Sequence, residues 1–111
     1  RAKFALAEAL WETASAQGCR PRAVRVRWLR TRWGSCSSRG VVTLNCCLLF
    51  QRPEVLRYLC AHELAHLTHM DHSSRFWALV ERYEPAWREL DAELVGGWRH
   101  VPRWLLSALR A

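Results

Sequence analysis

Apolar positions recur along this chain with two periods, and the switches between them mark out its elements. Over residues 4–17 the spacing is helical. Phe4, Leu6, Leu10, Trp11 and Ala14 are the apolar candidates, and Gly18 stands just past the end, where a left-handed residue stops a helix. The period then falls to two. Val24-Arg25-Val26-Arg27-Trp28 alternates as a half-buried strand does, with arginine on the wet face. The pattern predicts strands over 23–30 and 41–48, joined through a turn region over 34–40. Pro53 suits the first turn of a helix predicted from about 54 to 70. Asp71, Ser73 and Ser74 are turn and cap residues, so a break is expected there, followed by a helix from Ser74. That helix is expected to reach Val95, shortened or broken near Pro85, with Gly96-Gly97 ending it. Residues 102–110 read as a last short helix, where Trp104, Leu105, Leu106 and Leu109 cover the core or dock a partner. There is no internal repeat and no low-complexity linker. The expectation is one α+β domain over 1–111, an antiparallel sheet packed with helices.

Composition narrows the class. A chain of 111 residues, half of them apolar, buries roughly two-thirds of its unfolded surface. Seven tryptophans supply large packing units. No apolar run is long enough to cross a bilayer and no leader pattern is present, so no membrane partner is expected. The chain opens on Arg1 rather than Met, which suggests a fragment or trimmed form of a longer chain. The five cysteines are Cys19, Cys36, Cys46, Cys47 and Cys60. Their number is odd, none forms a C-x-x-C pair, and two are adjacent, which suits neither a disulfide framework nor a zinc knuckle. Reduced thiols in a cytoplasmic protein are expected, with Cys60 and Cys36 as packing residues.

The chemistry concentrates in His62-Glu63-Leu64-Ala65-His66, an HExxH run inside a predicted helix. Histidines four apart on a helix lie one turn above each other, with Cβ atoms about 5–6 Å apart. Two imidazoles so placed can converge on one Zn²⁺ at about 2.0–2.1 Å each. Glu63 then lies close enough to take a proton from water. A bare HExxH also fits an amphipathic helix with surface or core histidines; the helical context favours the site.

A catalytic zinc usually takes three protein ligands and leaves the fourth place open. His69, on a continuing helix, would lie about 10 Å along the axis from His62, too far to close a tetrahedron. His72 lies beyond the expected helix end, where the chain can turn back, and is the favoured third ligand. A carboxylate from the following helix, Glu81, Glu84, Glu89 or Glu93, is the alternative, since His₂Glu sites are equally good chemistry.

Four blocks carry a resemblance: Trp33-Gly34-Ser35-Cys36-Ser37-Ser38-Arg39-Gly40, Leu44-Asn45, the His-Glu-Leu-Ala-His-Leu run, and His72-Ser73-Ser74-Arg75-Phe76-Trp77. In this order they resemble the YgjP-like metallopeptidase family, relatives of SprT-like and other zincin proteases. The similarity spans about residues 25–94, and the tail after Gly96 matches nothing. It implies a zincin-like core, one zinc ion per chain held by His62, His66 and His72, and Glu63 as catalytic base. Asp71 departs from the family's usual Asn, and a turn accepts either. The histidine spacing also equals that of metzincins, but those enzymes carry Gly where this chain has His69, so the chain is not placed among them.

The expected activity is zinc-dependent peptide hydrolysis of protein or peptide substrates, with Glu63 moving the proton from water to the leaving amine. Tyr58, Tyr83, Arg75 and His100 are candidates for stabilising the oxyanion, and an extended substrate would add to a sheet edge near 41–44. Charge supplies a competing reading. Residues 1–52 hold ten basic residues against Glu8 and Glu12, whereas 53–111 are nearly balanced. Arg20, Arg22, Arg25, Arg27, Arg30, Arg32 and Arg39, interleaved with Trp28 and Trp33, have the pattern of a nucleic-acid footprint. The alternative function is therefore a nucleic-acid-binding module with a structural or vestigial metal site.

Overall fold

The structure, a computed structural model, describes residues 2–111. Helix α1 (Ala2–Gln17) leads into strands β1 (Ala23–Arg27), β2 (Gly34–Cys36) and β3 (Val41–Asn45), then a 3-10 turn at Cys46–Phe50. Helices α2 (Pro53–Ala65), α3 (Ser74–Tyr83) and α4 (Trp87–Val95) follow, then a second 3-10 turn at Gly97–His100 and helix α5 (Arg103–Arg110). The class is α+β, as expected.

The sheet is mixed rather than antiparallel throughout. Its order is β1-β3-β2, with β3 in the middle. β1 runs parallel to β3, pairing Ala23 with Val41 and Arg27 with Asn45, while β2 runs antiparallel, pairing Gly34 with Leu44 and Cys36 with Val42. The expected two-strand hairpin fails because part of its supposed turn, Gly34-Ser35-Cys36, is itself a strand. One inserted return strand reverses the chain once more, which turns β3 parallel to β1. Gly, Ser and Cys carry little strand propensity of their own, so the pairing comes from β3.

The sheet's inner face buries Val42 and Leu44 completely, with Val24 and Val26 packed beside them. α2 runs through the core and buries Val55, Tyr58, Leu59, Cys60, Ala61, Leu64 and Ala65. α1 contributes Leu6, Leu10 and Ala14, one strip at four-residue spacing. Phe4 and Trp11, expected on that strip, are 79% and 42% exposed because they fall on the opposite flank of the helix. Gly18 does end α1, at φ 67°. The long helix expected over 74–95 is two helices, interrupted around Pro85, whose ring and missing N–H cannot continue one. In α5, Leu105, Leu106 and Leu109 rest on the core, but Trp104 is turned outward.

Between β1 and β2 the chain makes a loop that Asn45 holds from within. Its fully buried side-chain amide donates to the carbonyls of Leu29 and Arg32, both at 2.8 Å, and its Oδ1 accepts from Cys47 N–H at 3.0 Å. The outside of the loop is fastened by tryptophans: Trp33 stacks on Trp98 at 4.1 Å, and Trp28 meets Trp98 edge-on at 6.0 Å.

Replacing Asn45 by Ala leaves two carbonyls and an N–H without partners in the interior. Losses of this kind cost about 1–3 kcal/mol per orphaned group, and partial relaxation brings the expected total to roughly 2–4 kcal/mol. Calorimetry of Asn45→Ala is expected to show a melting temperature lower by roughly 10 °C. An unchanged melting temperature would mean that the loop holds itself.

Candidate metal centre

α2 ends by tightening. His66 N–H bonds to Glu63 O at 3.1 Å, Leu67 to Leu64 at 3.0 Å and Thr68 to Ala65 at 3.1 Å, the three-residue spacing of a 3-10 turn. The helix therefore stops at Ala65 rather than reaching residue 70. The chain then reverses with no described non-glycine residue at positive φ, so the corner at His69 needs no glycine.

This reversal carries His72 back over α2. One ring nitrogen from each of His62, His66 and His72 lies within 4.8 Å of the others, and they are the one such group of three among the described residues. His62 Nε2 and His72 Nε2 are 3.4 Å apart. Two nitrogens bound to a tetrahedral zinc at about 2.0–2.1 Å stand about 3.3–3.4 Å apart, so this spacing suits the ion. His69 and the four helix glutamates stay outside the group. Glu93 pairs with Arg52 at 2.7 Å, Glu84 with Arg57 at 3.5 Å, and Glu81 accepts from Trp87 Nε1 at 3.2 Å.

The hydrogen bonds around the rings assign their tautomers. Tyr58 donates its single hydroxyl proton to Asp91 Oδ1 at 2.8 Å, so at 3.3 Å from His62 Nδ1 its oxygen is left to accept. His66 Nδ1 lies 3.0 Å from the carbonyl of His69, which can only accept. Both Nδ1 atoms thus carry the proton, and both Nε2 lone pairs are left free for a metal. Neither Asp91 nor the His69 carbonyl is legible as a site group in sequence, because each acts through a contact rather than a motif.

α3 backs the rings. Ser73 Oγ accepts from Phe76 N–H at 3.4 Å and caps the helix. Phe76 then stacks on His66 with centroids 4.4 Å apart, and Trp77 on His72 at 5.9 Å. Burial first, and then the neighbouring imidazoles, lowers the His62 pKa to about 3; burial also lowers that of His66. Both rings are therefore neutral at ordinary pH, the form that binds metal.

Glu63 is only 5% exposed, and burial pushes its carboxyl up to about 8 against the pull of Arg32. Gly34 presses on it: a Cβ there would come within 3.2 Å of the Glu63 carboxyl and 3.0 Å of Leu59. Glycine on β2 is what lets the strand approach α2 so closely. The thiols play no part as ligands. All five are free, and burial raises Cys60 to about 12 and Cys36 to about 11.

Of the suggested oxyanion groups, Tyr58 lines the cleft beside the cluster but is engaged by Asp91, and Tyr83 donates to Gln17 O at 3.3 Å. Arg75 and His100 line neither cleft at the cluster. Arg32 lines both and is the cation that acts on Glu63.

An α+β core carrying a histidine cluster of this kind defines a small metallopeptidase, and solved structures agree. The crystal structure of the metallopeptidase zymogen abylysin from Pyrococcus abyssi matches with a TM-score of 0.72 and 29% identity, covering 82% of this chain and 92% of that one. The metallopeptidase zymogen jannalysin from Methanocaldococcus jannaschii shares the fold, with a TM-score of 0.69 at 16% identity over 82% of this chain and 94% of that one. The YgjP-like metallopeptidase domain matches residues 1–96, and the chain belongs to that family. No curated protein matches it. Nothing supports the nucleic-acid reading: Trp33 is buried, and Trp28 packs against Trp98. No described helix is long and apolar enough to cross a membrane.

The Glu63 carboxyl makes a testable mark on stability. In the metal-free protein it holds its proton up to about pH 8, whereas unfolded it loses it near 4.5. The unfolded state therefore binds fewer protons between those values, and stability falls as pH rises through them. Gln at this position does not titrate. Metal-free Glu63→Gln is expected to melt above wild type at pH 8 and to keep little of that advantage at pH 5. A gain that is equal at both would remove the buried carboxyl as its cause.

Proposed function

We propose that the chain is a zinc-dependent peptidase of the HExxH type, in which His62, His66 and His72 hold one Zn²⁺ and Glu63 is the general base. The observation that carries this reading is the convergence of three imidazoles, two with Nε2 freed by their hydrogen bonds, beside a buried carboxyl. A structural zinc site is closed by four protein ligands, and no fourth donor joins these three among the described residues. When bound, zinc supplies Lewis acidity, which acidifies water and polarises a carbonyl. Glu63 takes the proton from the attacking water and returns it to the leaving amine. Asp91 and Tyr58 hold the His62 ring in the required tautomer, and the His69 carbonyl does the same for His66. Arg32 offers positive charge where the oxyanion develops.

The substrate is a polypeptide in extended form. β3 is central and offers no edge near 41–44; the free edge beside the cluster belongs to β2, where Gly34, Ser35 and Cys36 line the cleft. A strand added there would cross the histidines with its backbone hydrogen-bonded to the sheet.

Metal content and ligand variants test the site. Elemental analysis is expected to give one zinc per chain. His72→Ala is expected to abolish tight binding and Tyr58→Phe to weaken it by about ten- to a hundredfold. His69→Ala is expected to leave binding nearly intact, because the group that meets His66 is a backbone carbonyl. A damaging His69→Ala beside a harmless His72→Ala would reverse the ligand assignment.

Glu63→Gln tests the chemistry. It is expected to keep the fold and the zinc while hydrolysis of an unstructured protein falls to background. Equal, metal-dependent cleavage by wild type and Glu63→Gln would remove Glu63 as the base.

A further inference from the structure

Eight arginines fall between residues 18 and 52, with no acidic residue among them. The fold gathers three on the sheet's outer face. Strand alternation turns Arg25 away from the core, and the register sets it beside Thr43 and then Ser35 on the adjoining strands. Arg22 stands just before β1, its N–H bonded to Gly40 O at 2.8 Å, and Ser37 and Arg39 lie in the turn between β2 and β3. These six line a hollow of about 510 Å³ with three guanidinium groups, three hydroxyls and no carboxylate. Every ion pair among the described residues lies elsewhere, on Arg52, Arg57 or Arg88. The charge on this face is unneutralised.

The hollow adjoins the metal centre at β2. Ser35 lines both it and the cleft that holds His62, Glu63, His66 and His72. β2, the strand carrying Ser35, is the edge strand, and Arg32 stands at its other end. A chain paired to β2 would lie about 4.7–4.9 Å from it and turn alternate side chains toward the face that Ser35 shares with Thr43 and Arg25. Past Cys36 it meets Ser37 and Arg39.

We propose that this basic face binds an acidic stretch of the polypeptide substrate, flanking the bond that is cut. The proposal rests on the peptidase reading. Carboxylates on the added strand would meet Arg39 first, with Arg22 and Arg25 farther across the sheet face, and guanidinium groups pair with carboxylates through two parallel hydrogen bonds. A single-stranded nucleic acid is the weaker fit, because no aromatic ring lines the hollow for bases to stack on.

Labelled peptides of equal length, one with a run of Asp and Glu, one neutral and one basic, test this against the zinc-loaded full chain carrying Glu63→Gln. Fluorescence anisotropy is expected to show the acidic peptide binding roughly tenfold tighter than the neutral one, an advantage that shrinks near 0.5 M salt. Arg25→Glu with Arg39→Glu is expected to weaken the acidic peptide by roughly tenfold while zinc content and melting temperature hold. Equal binding of acidic and neutral peptides, or an acidic peptide indifferent to the double variant, overturns the proposal. So does an oligonucleotide that outcompetes the acidic peptide through the same two arginines. Cleavage by wild type separates the two layers. If no peptide of any charge is cut, the peptidase reading and the substrate role fail together; if peptides are cut without charge preference, this proposal alone fails.

Discussion

A helix in the middle of the core has to carry a carboxyl and two imidazoles through it, and the surrounding structure answers to that demand. α2 buries seven apolar residues and Glu63 along thirteen positions. The carboxyl gains from its surroundings little beyond the pull of Arg32. An ionisable group so placed lowers stability, and proteins keep such groups where the chemistry needs them. The peptidase chemistry proposed for Glu63 gives that cost a reason. A carboxyl held in an apolar site beside a histidine cluster is matched to moving protons.

Several other polar groups near the centre are handled in the opposite way, with their hydrogen bonds made, although Trp33 Nε1 and Gln51 Oε1 are buried without a partner. Asn45 uses its amide protons and its oxygen to hold the loop that delivers β2. Asp91 holds Tyr58, and Tyr58 faces His62. The His69 carbonyl meets His66, and Ser73 caps the helix whose Phe76 and Trp77 stack on the imidazoles. The contrast is physical. Groups that position others are held by hydrogen bonds, whereas none is made to the Glu63 carboxyl among the described residues, which suits the proton transfer proposed for it.

Charge divides along the same line. The segment after α2 carries six of the ten acidic residues, pairs Glu81, Glu84 and Glu93 with arginine, and forms the back of the site. The sheet in front carries arginine without acid, and its residues that line the cleft are the uncharged Gly34, Ser35 and Cys36 of β2. An extended chain lying between them would meet opposite fields on its two sides, so its orientation as well as its binding would depend on its charge.

Much of this was legible along the chain, and the legible part is local. The four-residue spacing of His62 and His66, the Pro53 start, the Ser73 cap, the Gly18 stop and the interruption around Pro85 each follow from backbone chemistry within a turn or two. The return of His72 was expected from the turn residues that precede it. Tertiary structure decided the rest. β2 exists because β3 pairs with it, and that one strand made the sheet mixed and moved the free edge to the cleft. Phe4 and Trp11 left the apolar strip because the core lies on one flank of α1 only. Tyr58 reaches Asp91 across 33 positions, and the His62 tautomer depends on that meeting. Local spacing encodes which groups share a helix face; which nitrogen of each imidazole is free, and which strand lies beside it, is set only when distant segments pack.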